Sequence, residues 1–171
     1  MKYCIYQSKS LLIWVLPNNE EQKEISHQEK IIARELSDEK SKQFKYSRGY
    51  IRFFLSQLFK INPLEVELYA NPGEAPELSS KFGYLSISHT YDALAISWSI
   101  YKVGIDIERF DRKIYSLRLL KKFLNSPKIF EKFDYSNEGL RFKLLQIWVL
   151  KEALVKRERT SIAYGFKNWK I

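Results

Sequence analysis

The chain has 171 residues, of which 45% are hydrophobic and 15% aromatic. This length supports one compact domain or two small lobes, and the aromatic content argues against a disordered chain. The longest apolar run, Leu11–Leu16, is too short to cross a bilayer, and the polar start is not typical of a secretory signal. The single cysteine, Cys4, excludes an intramolecular disulfide and a Cys-rich zinc site. We therefore expect a reduced, soluble protein of the cytoplasm.

The positive charge is confined to the second part of the chain. Residues 1–100 carry 12 basic and 12 acidic side chains, whereas residues 101–171 carry 17 basic and 8 acidic ones, which accounts for the whole net charge of +9. Such a field attracts an anionic partner. Nucleic acid, an acidic protein and a phosphorylated small molecule all fit, as does a solvated surface that keeps the protein soluble.

Hydrophobic periodicity predicts both strands and helices. Short or alternating apolar runs predict strands at residues 2–7, 11–16, 64–69, 84–90, 93–100 and 103–109, and one further strand in the tail at 161–171. A helical period runs through residues 18–46, and stronger apolar stripes predict helices at 46–61, 115–133 and 139–157. Because strands and helices do not alternate strictly, the pattern predicts an α+β fold.

The helix predicted at 46–61 carries a broad apolar stripe and ends at Asn62-Pro63. Arg48 and Arg52 are four residues apart, so their side chains lie on one side of the helix. We predict that this side is the polar one.

Two carboxylates alternate in the segment GIDIE. In a strand, alternate side chains share a face, so Asp106 and Glu108 point the same way. If both are ionised, a positive group must lie between them, and an oxygen-only ligand set suits a hard ion such as Mg²⁺. The alternative is an edge strand whose acidic face is only solvated.

The helix predicted at 139–157 carries a second candidate group. Trp148, Glu152 and Lys156 are spaced by four and form one row, with Lys151 beside it. A carboxylate flanked by two lysines could complete a metal site and hold phosphates. The alternative is a surface ion pair between Glu152 and Lys156.

Ser88 and His89 are adjacent near the end of the strand predicted at 84–90, where both could reach one ligand. No G-x-S-x-G elbow supports a hydrolase nucleophile. His27 is the only other histidine, which argues against a His-based zinc site. The alternative for His89 is a purely structural histidine.

Four stretches of the sequence together resemble the 4′-phosphopantetheinyl transferase superfamily, of the surfactin-synthetase-activating type. They are YSRGYIR at 46–52, SISHT at 86–90, VGIDIE at 103–108 and WVLKEALVK at 148–156. The pair G-x-D-x-E and W-x-x-K-E-A-x-x-K is the specific part. The resemblance implies a pseudo-dimer of two small α+β lobes, residues 1–100 and 101–171, with the active site in the cleft between them.

The same resemblance implies a Mg²⁺-dependent transferase. It would move the phosphopantetheine arm of coenzyme A onto a serine of an acyl or peptidyl carrier protein and release adenosine 3′,5′-bisphosphate. The implied metal ligands are Asp106, Glu108 and Glu152. The implied contacts to the nucleotide end, chiefly its 3′-phosphate, are Arg48, Arg52, Ser88 and His89, and those to the pyrophosphate are Lys151 and Lys156. The predicted catalytic residues are Lys156 and Glu152, the latter as a base that acts directly or through a water on the ion.

Elementary chemistry is consistent with that assignment. Positioning and charge neutralisation do most of the catalysis when a nucleophile attacks a pyrophosphate, and carboxylates with a cation plus two lysines supply both. Carrier proteins are typically acidic, so the basic second part of the chain would steer them to the cleft. We expect a monomer whose partners are coenzyme A and a carrier protein, with no nucleic acid or membrane partner.

Three features depart from the family pattern. The family usually has a G-K-P turn before the serine-histidine strand, whereas residues 73–76 read GEAP. Lys128 stands near the place where many members carry a glutamate, and the chain ends at Ile171, where members commonly continue with further strands. These departures motivate an alternative, a catalytically weak or inactive relic that binds coenzyme A or a carrier protein. A Mg²⁺-dependent nuclease is another alternative, but its D…E-x-K pattern needs a lysine where Phe110 stands.

Overall fold

The computed structural model of the chain describes residues 3–69, 74–112 and 138–161. Its strands are β1 Cys4–Gln7, β2 Leu11–Pro17, β3 Leu68–Tyr69, β4 Glu77–Leu78, β5 Tyr84–His89 and β6 Ala93–Ser99. Its α-helices are α1 His27–Arg34, α2 Asp38–Phe59 and α3 Glu138–Glu158. The described residues thus mix helix and sheet, as the α+β prediction requires. Within them, no helix is long and apolar enough to cross a membrane.

An antiparallel sheet with the order β1-β2-β6-β5 forms the centre of the described structure. Alternate side chains of its strands face α2 and form the hydrophobic core with it. The ring of Trp14 in β2 stacks on that of Phe54 in α2, with centroids 4.9 Å apart and planes 4° apart. Four of the strands predicted from alternation, those at 2–7, 11–16, 84–90 and 93–100, are confirmed with small shifts at their ends.

The opposite face of the sheet carries small buried side chains. In β5 and β6 these are Ser86, Ser88, Ala95, Ser97 and Ser99. Small side chains allow another segment to approach the sheet closely, and residues 103–108 run along β5 on this face. The amides of Ile105 and Ile107 donate to the hydroxyls of Ser86 and Ser88. The prediction of a strand at 103–109 is therefore wrong, because serine hydroxyls rather than a backbone ladder hold this segment.

The side of α2 that carries Arg48 and Arg52, predicted to be its polar side, is buried in the structure. Both are buried, at 5% and 4% exposure, because α1 and the turn after α2 cover that side of the helix. The Arg52 guanidinium binds the Glu29 carboxylate through Nε at 2.8 Å and Nη2 at 3.1 Å. Its Nη1 donates to the carbonyl oxygens of Pro63 and Val66. Arg52 therefore joins α2 to α1 and to the following turn.

Other predictions hold in part. The helical period at 18–46 resolves into α1 and the first turns of α2, which begins at Asp38 rather than near 46 and ends before Lys60, the left-handed C-cap. The strand predicted at 64–69 is reduced to β3, because Asn62 caps a 3-10 turn over Pro63–Glu65. The helix predicted at 139–157 is confirmed as α3. The predicted helix at 115–133 and nearly all of the tail strand lie outside the described residues.

Candidate functional site

Asp106 lies at the centre of the candidate site. Its Oδ1 accepts a hydrogen bond from the Ser88 hydroxyl at 2.7 Å. The same oxygen forms an ion pair with the Lys156 ammonium, also at 2.7 Å. The side chain is only 7% exposed, and its Oδ2 is buried without a hydrogen-bond partner among the described residues. A buried carboxylate oxygen without a partner is costly. It therefore marks a place where a ligand would be stabilising.

The carboxylate of Glu108 is held by two side chains, Trp148 and Arg112. Trp148 of α3 donates its indole N–H to Oε1 at 3.0 Å, and Arg112 forms an ion pair with the same oxygen. The Arg112 guanidinium also lies over the Trp148 ring, 5.1 Å from its centroid. The carboxylate is therefore fixed in position by an aromatic donor and a cation.

Glu152 completes the row on α3. Burial raises the pKa of its carboxyl, and the charge of Asp106 raises it further, while Lys156 and Arg112 lower it. The row Trp148–Glu152–Lys156 thus faces the segment that carries Asp106 and Glu108. The contacts of Asp106 with Lys156 and of Glu108 with Trp148 bring the two motifs together.

The three carboxylates do not form a closed cage. Within the ranges that the structure describes, no group of three or more His, Cys, Asp or Glu side chains is arranged to hold a metal ion. Mg²⁺ is usually held by one or two carboxylates plus substrate phosphates rather than by an all-protein cage. The unpartnered Oδ2 of Asp106 and the neighbouring Glu152 fit that mode, since both offer only oxygen. Glu108 is turned towards Trp148 and Arg112 instead.

Gly104 is a residue whose role the sequence reasoning missed. A Cβ at this position would lie 1.9 Å from the carbonyl oxygen of Ala153 and 2.7 Å from the amide nitrogen of Arg157. The segment therefore touches the backbone of α3 directly, which no residue with a Cβ permits without displacement. The sequence did contain a signal for this close contact: a small residue in each motif, Gly104 in G-x-D-x-E and Ala153 in W-x-x-K-E-A-x-x-K.

Two other residues predicted to contact the ligand, Lys151 and His89, have pKa values lowered by burial. Lys151 is 1% exposed, and burial lowers the pKa of its ammonium. Burial and the charge of Lys156 lower the pKa of His89 to about 4. Its Nδ1 is buried, and no residue in the described ranges forms a hydrogen bond with it. At neutral pH His89 is therefore an uncharged hydrogen-bonding group. The predicted contacts of Arg52, Ser88 and Lys151 with a nucleotide or pyrophosphate stay predictions.

A cavity of about 770 Å³ opens beside the site. Arg48 of α2 lines one side, and Lys156 and Arg159, at the end of α3, line another. Glu74 and Glu77 also line it, and Glu77 forms an ion pair with Arg159. Burial lowers the pKa of Arg48, while the nearby Glu29 carboxylate raises it. The cavity is large enough for a nucleotide-sized ligand and brings together cations from distant parts of the chain.

Comparison with known proteins bears on the part of the chain that carries this site. A search of curated proteins found no match to the chain. Residues 102–171 match the family model of the 4′-phosphopantetheinyl transferase superfamily, a match that supports phosphopantetheine transfer in general terms.

Proposed function

We propose that the protein is a phosphopantetheinyl transferase of the surfactin-synthetase-activating type. It would move the phosphopantetheine arm of coenzyme A onto a serine of an acyl or peptidyl carrier protein. The observation that carries the proposal is the meeting of Asp106 and Glu108 with Lys156 and Trp148 of α3. That meeting falls inside the residues that match the family model.

The cavity beside the site is the proposed binding place of coenzyme A. In this proposal residues 1–100 and 101–171 form two lobes, and the nucleotide end lies between Arg48 and the end of α3. Arg48, Lys156 and Arg159 supply positive charge to its phosphates.

The transfer requires one bond to form and one to break. The serine oxygen of the carrier protein bonds to the phosphorus that bears the pantetheine arm, and the bond from that phosphorus to the bridging oxygen breaks. Adenosine 3′,5′-bisphosphate leaves with the electron pair of that bond. Lys156 neutralises charge on the departing phosphate. Glu152 takes the serine proton as the general base.

Mg²⁺ is the proposed cofactor. Asp106 and Glu152 would hold it, with Glu108 beside them, and it would supply neutralisation of the negative charge on the pyrophosphate. The carboxylates themselves are oriented by this chain's own groups. Ser88 and Lys156 fix Asp106, and Trp148 and Arg112 fix Glu108.

The proposed protein partner is an acidic carrier protein. The net charge of +9 is carried by residues 101–171, the part that contains α3. Complementary charge raises the association rate and makes it sensitive to salt. We therefore propose a cytoplasmic monomer that meets the carrier protein through this basic part.

A mass measurement tests the proposal. Apo carrier protein incubated with the full chain, coenzyme A and Mg²⁺ should gain the mass of one phosphopantetheine arm. Glu152→Gln should slow this gain about 100-fold or more, because the general base is lost. Glu158→Gln, on the same helix and paired with Arg157, is the matched control and should react normally. Absence of any gain with fatty-acid, polyketide and peptide carrier types would overturn the proposal, and full activity of Glu152→Gln would remove its role as base.

A non-catalytic binding protein is the second candidate. Glu74 lines the cavity where the family usually has a lysine, and its negative charge would weaken binding of a phosphate there. Calorimetry that shows coenzyme A binding, together with no transfer to any carrier type, would favour this candidate. Glu74→Lys should then tighten coenzyme A binding without producing transfer.

A further inference from the structure

Two serines of β5 hold the segment that carries Asp106. Ser86 and Ser88 are two residues apart, share one face of the sheet, and are buried. The Ser86 hydroxyl accepts the Ile105 N–H at 3.1 Å, and the Ser88 hydroxyl accepts the Ile107 N–H at 3.3 Å. In both hydrogen-bonded pairs the residues are 19 positions apart, so the segment has the same two-residue repeat as β5.

Ser88 makes one contact that Ser86 does not. A serine hydroxyl has one hydrogen to donate and two lone pairs that accept. In Ser88 one lone pair accepts the Ile107 amide, and the hydrogen is donated to Asp106 Oδ1 at 2.7 Å. A hydrogen bond from a hydroxyl to a carboxylate is short and strong. Ser88 therefore fixes both the backbone beside Asp106 and the rotation of its carboxyl group.

The fixed rotation decides which carboxylate oxygen is left over. Oδ1 of Asp106 is occupied by Ser88 and by the Lys156 ammonium, both at 2.7 Å. Oδ2 is buried and has no hydrogen-bond partner within the part of the chain that the structure describes. We propose that Ser88 is a positioning residue, which aims Oδ2 of Asp106 at the divalent cation instead of contacting the nucleotide. This inference rests on the metal role given to Asp106 in the proposed function.

Metal affinity, measured without coenzyme A or carrier protein, tests the inference. Mn²⁺ is titrated into the full chain and its free concentration is followed by electron paramagnetic resonance. Loss of a group that orients a metal ligand typically weakens binding 10- to 100-fold, so Ser88→Ala should weaken Mn²⁺ binding by at least about tenfold. Ser88→Thr, which keeps the hydroxyl, should restore it. Ser86→Ala is the matched control, because it loses a bond to the same segment but none to the carboxylate, and it should bind Mn²⁺ normally.

Amide hydrogen exchange gives a readout that does not involve the metal. The Ile107 amide should exchange faster in Ser88→Ala, and the Ile105 amide faster in Ser86→Ala, because each loses its acceptor. If Ser88→Ala does not fold, Ser88→Cys replaces it, since a thiol is only a weak donor. Unchanged protection of the Ile107 amide in Ser88→Ala, or in Ser88→Cys where that variant replaces it, would overturn the inference.

The outcomes separate this inference from the proposed function. Weaker Mn²⁺ binding in Ser88→Ala supports the inference even if no carrier protein is ever modified. Normal Mn²⁺ binding with a raised KM for coenzyme A would overturn it and restore Ser88 as a nucleotide contact. Normal Mn²⁺ binding by Asp106→Asn would overturn it together with the metal role of that carboxylate.

Discussion

The Lys156 ammonium lies 2.7 Å from Oδ1 of Asp106, although the two residues are 50 positions apart. The contact joins α3 to the segment that runs along β5. Asp106 is 7% exposed, so the lysine supplies the positive charge that pairs with this carboxylate inside the protein. An internal cation therefore holds both motifs together before any ligand binds.

Loss of this lysine should destabilise the protein. Lys156→Met leaves a buried carboxylate without its cation, and we expect the free energy of unfolding to fall by about 2 kcal/mol. Asp106→Asn in the same chain should restore part of the loss, since the unpaired charge is then absent. Urea unfolding measures both changes. Lys143→Met, on an exposed position of α3, is the control and should unfold as the natural protein does.

Added Mg²⁺ should stabilise Lys156→Met and the natural chain to different extents. If Mg²⁺ binds at Asp106, it replaces the missing charge and should stabilise Lys156→Met more than the natural chain. Thermal unfolding with and without millimolar Mg²⁺ measures the difference. Equal shifts in Tm for both chains would contradict a metal role of Asp106.

Gly104→Ala should disrupt the packing of the G-x-D-x-E segment on α3. The added Cβ would lie 1.9 Å from the Ala153 carbonyl oxygen, so the segment has to move away from the helix. Overpacking of this kind costs about 1–3 kcal/mol, and transfer activity should fall because Asp106 is displaced. Gly139→Ala, on an exposed position of the same helix, should instead raise stability by a few tenths of a kcal/mol. Normal stability and activity of Gly104→Ala would show that this close approach is wrong.

Arg52 should act on stability through Glu29. Arg52→Met leaves the Glu29 carboxylate buried and unpaired, which costs about 3–5 kcal/mol. Arg52→Lys keeps the charge but not the two parallel hydrogen bonds, so it should recover only part of the loss. The double variant with Glu29→Gln should be more stable than Arg52→Met alone. If Arg52→Met unfolds normally in urea but binds coenzyme A weakly, Arg52 is a nucleotide contact and the structural interpretation is wrong.

His89 should make the protein less stable in mild acid. Burial and the Lys156 charge hold its pKa at about 4, below the ordinary value of 6.5. Between these two values the unfolded chain binds the proton and the folded protein does not, so the free energy of unfolding falls as the pH drops from 6.5 to 4. The expected loss is about 2–3 kcal/mol. His89→Gln should lose correspondingly less over this range in urea unfolding, whereas His27→Gln, at an exposed position, controls for removal of an imidazole. An equal loss in His89→Gln and the natural chain would contradict the shifted pKa.

Local pattern was enough to predict several elements of this fold. β2, β6 and α3 were predicted because each carries an apolar period that matches its own geometry. The strand predicted at 64–69 is shortened to Leu68–Tyr69, because a turn capped by Asn62 takes up its first residues. Capping by a single side chain has no periodic signature, so hydrophobic pattern does not reveal it.

The candidate site was predicted in its residue types rather than in its contacts. Spacing placed Trp148, Glu152 and Lys156 in one row, and the family resemblance implied that this row meets Asp106 and Glu108. Spacing did not indicate that Arg52 is buried, because the helix that covers it is α1, whose Glu29 lies 23 positions earlier in the chain. Which side of a helix is buried depends on what packs against it, and an arginine with a full set of acceptors is stable in the interior.

The sequence by itself determined the α+β character, the two motifs and the confinement of positive charge to residues 101–171, because these depend on residue type and local period alone. Only the tertiary structure decided which atoms meet. Ser88 and Lys156 occupy one oxygen of Asp106 and leave the other without a partner. Such contacts join residues 18 and 50 positions apart and depend on distances of a few tenths of an ångström. No local pattern in a chain encodes them, since they arise when separate elements pack together.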